Sequence, residues 1–290
     1  MEDRLLQIKQ PLLFDRLAVT VALMFLLLIA AQTAQAGLML YPTRLVLENK
    51  DRSAQVEIIN NGNKPETYRI ALFNRRMTET GEIVAADKPE PGEKFAADML
   101  RFSPRQVTLQ PGKAQTVRIM VRKPDGLEAG EYRSHLQFDR VADAEGSANL
   151  ENLVKPGEGE ISIVLQALVG ASIPVIVRHG ETKFTTTLTD ISVEPGKEKE
   201  QLLAFSIKRE GNRSVYGDLV ATFIPDGGKL IEVSRVGGVA IYVPNVMRKT
   251  KIPIKLPEGV TLSKGVLTLQ YIERPDAGGK LLAEAKLAMP

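Results

Sequence analysis

Arg44 stands in the run Tyr41-Pro42-Thr43-Arg44-Leu45-Val46-Leu47, with Leu45 and Leu47 as apolar company. An arginine so placed either snorkels over apolar surface toward water or presents a planar fork of donors to a carboxylate. The residues alone leave both open. Arg118 and Arg122 share the polar face of another run and read as solvated. His135 lies between Arg133 and Gln137 on a polar face, and His179 lies in a short polar joint; each reads as a packed or solvated residue. No Gly-x-Ser-x-Gly elbow and no phosphate loop is present. Carboxylates are scattered through turns, as in Glu79 to Glu82 and Glu194 to Glu200, and an acid/base pair assembles in space rather than along a chain. With two histidines and no cysteine, a transition-metal site is starved of ligands. The expectation is a non-enzyme with no cofactor and no metal.

The more informative stretch runs from Glu160 to Val177. Ile161, Ile163, Leu165, Ala167 and Val169 alternate with Ser162, Val164, Gln166 and Leu168, so one face of an extended strand is wholly apolar. A polar, glycine-bearing segment from Ala142 to Gly159 feeds into it, and Pro174 predicts that its later part lies at a sheet edge. Natural edges are usually blunted by charge, and none occurs between Ile161 and Val177. Either the chain covers this edge itself, or covering another chain is what the edge does.

The elements that must position these residues are strands. At 290 residues, 43% apolar and 25% charged, the chain has ordinary globular composition and length for two domains. The balance of 38 basic against 35 acidic residues gives +3, too small to imply nucleic acid, and no basic run interleaves with aromatics. Residues 1–36 read as a secretory signal: Arg4, Lys9 and Arg16 precede an apolar run from Leu17 to Ala31, and Ala34-Gln35-Ala36 has the form that a signal peptidase cuts. An uncleaved anchor is the alternative, but the run falls short of the roughly 18 apolar residues expected of a spanning helix. The mature chain is expected to be exported, to start at Gly37 and to have no membrane insertion. Lacking disulfides, it must be held by its cores.

From Leu38 onward, short period-2 runs are separated by turn chemistry. Leu38 to Leu47, Ala54 to Ile59, Tyr68 to Phe73, Gln106 to Leu109, Thr116 to Arg122 and Tyr132 to Phe138, with the Glu160 stretch, make about seven strands before residue 178. That is what an immunoglobulin-like sandwich needs. After a polar joint at Arg178-His179-Gly180-Glu181 the pattern restarts, with runs that include Leu202 to Lys208, Tyr216 to Ile224, Lys229 to Val233, Val239 to Val243 and Val266 to Ile272. Asp226-Gly227 predicts a tight hairpin. The fold class is therefore all-β: two immunoglobulin-like β-sandwich domains in tandem, 37–178 and 179–290, unlike each other in sequence.

Five blocks of the first half resemble the periplasmic chaperones of chaperone/usher pilus systems, the PapD-like family. They are Tyr41-Pro42-Thr43-Arg44, Val56 to Gly62, Arg101 to Ile119, Gly130 to Phe138 and Ile161 to Gln166. Residues 180 to 290 match less clearly. The resemblance implies a chaperone that lends the last strand of its first domain to a pilus or fimbria-like subunit lacking its own final strand, for delivery to an outer-membrane usher. The positions that match the donor residues are Ile161, Ile163 and Leu165, with Ala167 and Val169 beyond them. In physical terms this is β-augmentation, backbone bonds giving pairing and alternate side chains filling a groove. That family also anchors the client's C-terminal carboxylate with two basic residues. Arg44 matches the first. The second, a lysine, has no counterpart here: Gly170 falls at its place, the next basic residue is Arg178, and Arg133 or Arg178 could substitute. Two other readings stand beside this one, a structural immunoglobulin-like envelope or appendage protein without chaperone activity and an envelope hydrolase. An uncovered donor edge would also make self-association plausible.

Overall fold

Val56 and Ile58 are fully buried while Gln55 and Glu57, which alternate with them, are exposed, and Val117 and Ile119 stand on either side of exposed Arg118. Period-2 alternation here becomes strands with one wet face. The computed structural model describes residues 37–141, 170–198 and 200–290. In its first half, β1 (Leu38–Tyr41), β3 (Ser53–Asn60), β7 (Leu100–Ser103) and β9 (Ala114–Val121) form one sheet in the order β1-β3-β9-β7. Facing it, β2 (Leu45–Leu47), β4 (Glu66–Phe73), β8 (Gln106–Leu109), β10 (Gly130–Arg140) and β11 (Ala171–His179) pair in the order β2-β11-β10-β4-β8. The chain changes sheets between β1 and β2, and β2 then runs parallel to β11. Leu47, Val56, Ile58, Leu136, Phe138, Val175 and Val177 fill the space between the sheets. Each such side chain, fully buried, contributes about 1.5–3 kcal/mol.

A small hairpin of β5 (Arg75–Met77) and β6 (Ile83–Ala85) leaves this sandwich after β4. The second half repeats the layered solution with different connections. Here β12 (Phe184–Pro195), β13 (Gln201–Gly211) and β16 (Met247–Ile254) make a sheet in the order β12-β13-β16. Against it lies β15-β14-β17-β18, built from β14 (Val215–Pro225), β15 (Ile231–Ile241), β17 (Gly265–Glu273) and β18 (Leu281–Met289). Leu203, Ile207, Leu219, Phe223, Leu267 and Tyr271 are among its buried residues. No helix of the described residues is long and apolar enough to cross a membrane.

Four sequence expectations change. Pro174 does not put the later part of its strand at an edge: Val175 to Val177 are flanked by β10 on one side and by β2 on the other. The outer side is open earlier, at Ala171 to Pro174, where among the described residues only β10 pairs. Arg178 and His179 belong to β11, opposite Glu131 and Gly130, rather than to a polar joint. The runs Lys229 to Val233 and Val239 to Val243 fall largely within one strand, β15, irregular in register where Gly238 takes φ +71 and its N–H reaches Asp218. Glycine there supplies the backbone a bulge requires. Gly227 also has positive φ, as its turn chemistry predicts, but β14 ends at Pro225 and β15 begins at Ile231, so the hairpin is not a two-residue turn.

Candidate functional site

Strand β10 has the alternation of a half-wet strand, yet Gly130 to Leu136 are all buried. Tyr132, Leu136 and Phe138 face the first core, while the opposite face carries Glu131, Arg133, His135 and Gln137. The second sandwich covers the lower part of that face. Met77, Ile176, Ala240 and Tyr242 make a small apolar cluster across the joint, with Val46 and Tyr216 packed against it. A face that reads as solvated is thus dry because another sandwich closes over it.

Burying charge is costly unless it is paired. Arg178, 5% exposed, is paired with two carboxylates: Nε donates to Glu131 Oε2 at 3.0 Å and Nη1 to Glu48 Oε1 at 2.6 Å. Glu131 Oε2 also accepts the Ser214 N–H of the second sandwich at 3.1 Å. Arg209, more buried still, spends its donors on the carbonyls of Asn245, Gly211 and Arg213. It lines a cleft of about 650 Å³ between the sandwiches, together with Lys94, Gly130, Pro244 and Val246. This cleft has room, but its buried guanidinium is already satisfied.

Arg44 and Arg133 differ from these. Leu45 and Leu47 enter the core, so Arg44, just before β2, stands on the opposite side with Val46. Its Nη1 reaches Tyr242 Oη at 3.3 Å and its Nη2 reaches Ser214 Oγ at 3.4 Å, both long for hydrogen bonds. Its Cζ sits 4.6 Å from the centre of the Tyr216 ring and 5.4 Å from that of Tyr242. Arg133, 6% exposed, lies against the same Tyr242 ring at 4.1 Å. Its Nε and Nη1 have no acceptor among the described residues. Burial lowers its pKa; Tyr242, Glu131 and Glu93 work against that, and Arg44 adds to it. Two like charges therefore share one tyrosine, and among the described residues neither has a carboxylate in an ion pair. Cation–π contact offsets part of that repulsion, by about 0.5–2 kcal/mol each. A carboxylate between them would be bound by charge-assisted, fork-shaped donors.

His135 sits two residues on, 3% exposed, with Nδ1 unpartnered among the described residues. Burial, then the charges of Arg133 and Arg75, push its pKa down to about 3, so the ring is neutral. Among the described residues, no group of three or more His, Cys, Asp or Glu side chains could hold a metal ion.

Of the residues singled out in the sequence, Arg44 is in the joint, Arg178 is committed to Glu131 and Glu48, and Arg133 joins Arg44. Ile161, Ile163, Leu165, Ala167 and Val169 lie outside the described residues, and so does the segment 1–36. Sequence reasoning missed Tyr216, Tyr242 and Ser214. They come from the second sandwich, 170 to 198 residues beyond Arg44 where they bond to it, and no local pattern marks them.

No protein-family model matches the chain, and no curated protein matches it. Solved chaperones of pilus and fimbria assembly are similar to it. The YadV chaperone is 13% identical with a TM-score of 0.44, over 87% of this chain and 100% of that one. The CupB2 chaperone of Pseudomonas aeruginosa is 12% identical with a TM-score of 0.45, over 87% of this chain and 100% of that one. The Salmonella enterica SafA pilin in complex with the SafB chaperone gives 14% identity and a TM-score of 0.41, over 89% of this chain and 98% of the matched one.

Proposed function

We propose that this chain is a periplasmic chaperone of pilus or fimbria-like subunits, exported through residues 1–36 and acting without catalysis. It lends the strand carrying Ile161, Ile163, Leu165, Ala167 and Val169 to an unfinished client sandwich and hands the client to an outer-membrane usher. Arg44 and Arg133 together hold the client's C-terminal carboxylate. The observation that carries the reading is the pair itself: two guanidinium groups on one tyrosine, one of them buried with donors unpaired among the described residues. Such a pair is stabilised by an anion from outside more than by anything it touches in the described structure. The outer side of Ala171 to Pro174, open among the described residues and directly following the apolar alternation, supports strand donation.

A tagged chain of residues 37–290, pulled from the periplasm of its native host, is expected to bring down a small β-rich secreted protein. The Ile163→Asp variant is expected to lose it, because one buried charge in the groove outweighs what one apolar side chain contributes. Arg133→Gln combined with Arg44→Gln is expected to retain less of the same partner. Equal capture by all three forms would sink both the donor strand and the anchor.

A further inference from the structure

The β5–β6 hairpin belongs to the first sandwich by connection but makes contacts with the second. Its turn is self-supporting, with Gly81 N–H donating to Thr78 O at 3.0 Å and Thr78 N–H to Glu82 O at 2.9 Å. From it, Glu79 O accepts the Lys249 N–H at 2.8 Å, on the side of β16 that β13 leaves unpaired. Asn245 Nδ2 donates to Met77 O at 2.9 Å and to Thr78 O at 3.3 Å. Met77 is buried against Ala240 and Tyr242. Gly81, at φ +89, lies so close to Arg248 that a Cβ there would strike its guanidinium, and Arg248 Nη1 in turn holds Ala240 O at 2.8 Å. Ala240 is two residues from Tyr242, the ring that both Arg44 and Arg133 use.

We infer that this hairpin is a strap: by gripping Asn245, Lys249 and Arg248 it seats Tyr242 against the first sandwich and so positions Arg44 and Arg133 as one anion site. The inference rests on the carboxylate-anchor reading above and adds Asn245 and Gly81 to it as positioning residues. The site is divided between the two bodies, its guanidinium groups coming from the first and its tyrosines from the second. Apart from the hairpin, the polar ties across the joint among the described residues run through Glu131, Ser214 and Arg44 itself. Without the strap the tyrosine would still be present, but its distance from each guanidinium would no longer be set.

The test uses the whole mature chain and acetate as the probe. Arginine Nε–Hε resonances of Arg44 and Arg133 are followed as acetate is added. In parallel, nitroxides attached after Gln115→Cys and Lys229→Cys report the separation of the sandwiches by pulsed electron resonance. The chain has no cysteine of its own to interfere. For Asn245→Ala, acetate binding is expected to weaken roughly tenfold, since misaligned donors lose most of a charge-assisted bond. The interspin distance is expected to broaden. Gly81→Val, which disturbs the strap from its other end, is expected to do the same, and decides the matter if Asn245→Ala does not fold. Unchanged affinity and distance in a folded variant overturn the strap. A parent chain whose arginine signals ignore acetate overturns the anchor reading, and with it the link to the site, while the spin labels still report separately whether the hairpin holds the sandwiches.

Discussion

His135 shows how a residue type misleads without its surroundings. A histidine between Arg133 and Gln137 on a polar strand face reads by sequence as packed or solvated, and here it is packed, buried and kept neutral. Its folded pKa, about 3, lies below the ordinary value of 6.5, so between those values the unfolded chain binds the proton more tightly than the folded one. Folding stability from this group is therefore complete above about pH 6.5 and falls as pH drops toward 3, by at most about 1.4 kcal/mol per pH unit. Urea titrations at pH 7 and pH 5 are expected to show the parent losing more stability than His135→Gln. An equal loss in both would assign the acid sensitivity to carboxylates. Arg44 is the converse case. Of its two sequence readings, solvent-seeking or fork-presenting, the tyrosines and Ser214 around its guanidinium favour the second.

Strands were legible where one face stayed wet, and their ends were legible where turn chemistry was explicit. Asn60-Asn61-Gly62 is an instance. Asn60 is wholly buried, its amide donating to Lys64 O at 2.7 Å and Leu109 O at 2.9 Å while its oxygen accepts the Gly62 N–H at 2.9 Å. One side chain thus closes the turn after β3 and ties it to β8. Asn60→Ala is expected to cost about 2–3 kcal/mol, because it strands buried backbone groups rather than merely losing contacts. Chemical denaturation measures this, and a change within a few tenths of a kcal/mol would mean that water replaces the amide. Strand β10 was legible as a strand but not as one buried on both faces. Part of its second cover comes from residues more than 80 positions away, as with Ser214 on Glu131. Strand β11 was also found, but its edge was misplaced by a few residues because parallel pairing with β2 has no local signature.

In the molecule as a whole, two separate cores meet through a small apolar cluster, a buried carboxylate and a hairpin. Glu131 ties Arg178 of the first sandwich to the Ser214 amide of the second. Removing one partner of such a buried network typically costs about 3–5 kcal/mol. Glu131→Ala is expected to lower the melting point of the first sandwich and to uncouple it from the second. Calorimetry would then show two transitions where the parent shows one, and a single unsplit transition would argue that the hairpin and the apolar cluster suffice.

Alternation and turn residues were enough to establish an all-β chain of tandem sandwiches, to single out Arg44, and to mark the apolar run through Ile161, Ile163 and Leu165. Those signals are local: a pleat repeats every two residues, and a glycine's φ is settled by its neighbours. The tertiary structure alone decided that Arg133 rather than Arg178 stands beside Arg44, that Tyr242 serves both, and that the β5–β6 hairpin reaches the second sandwich. Each of those depends on which distant surfaces meet, since a charge is paired or left unpaired by whatever packs against it and not by its place in the chain.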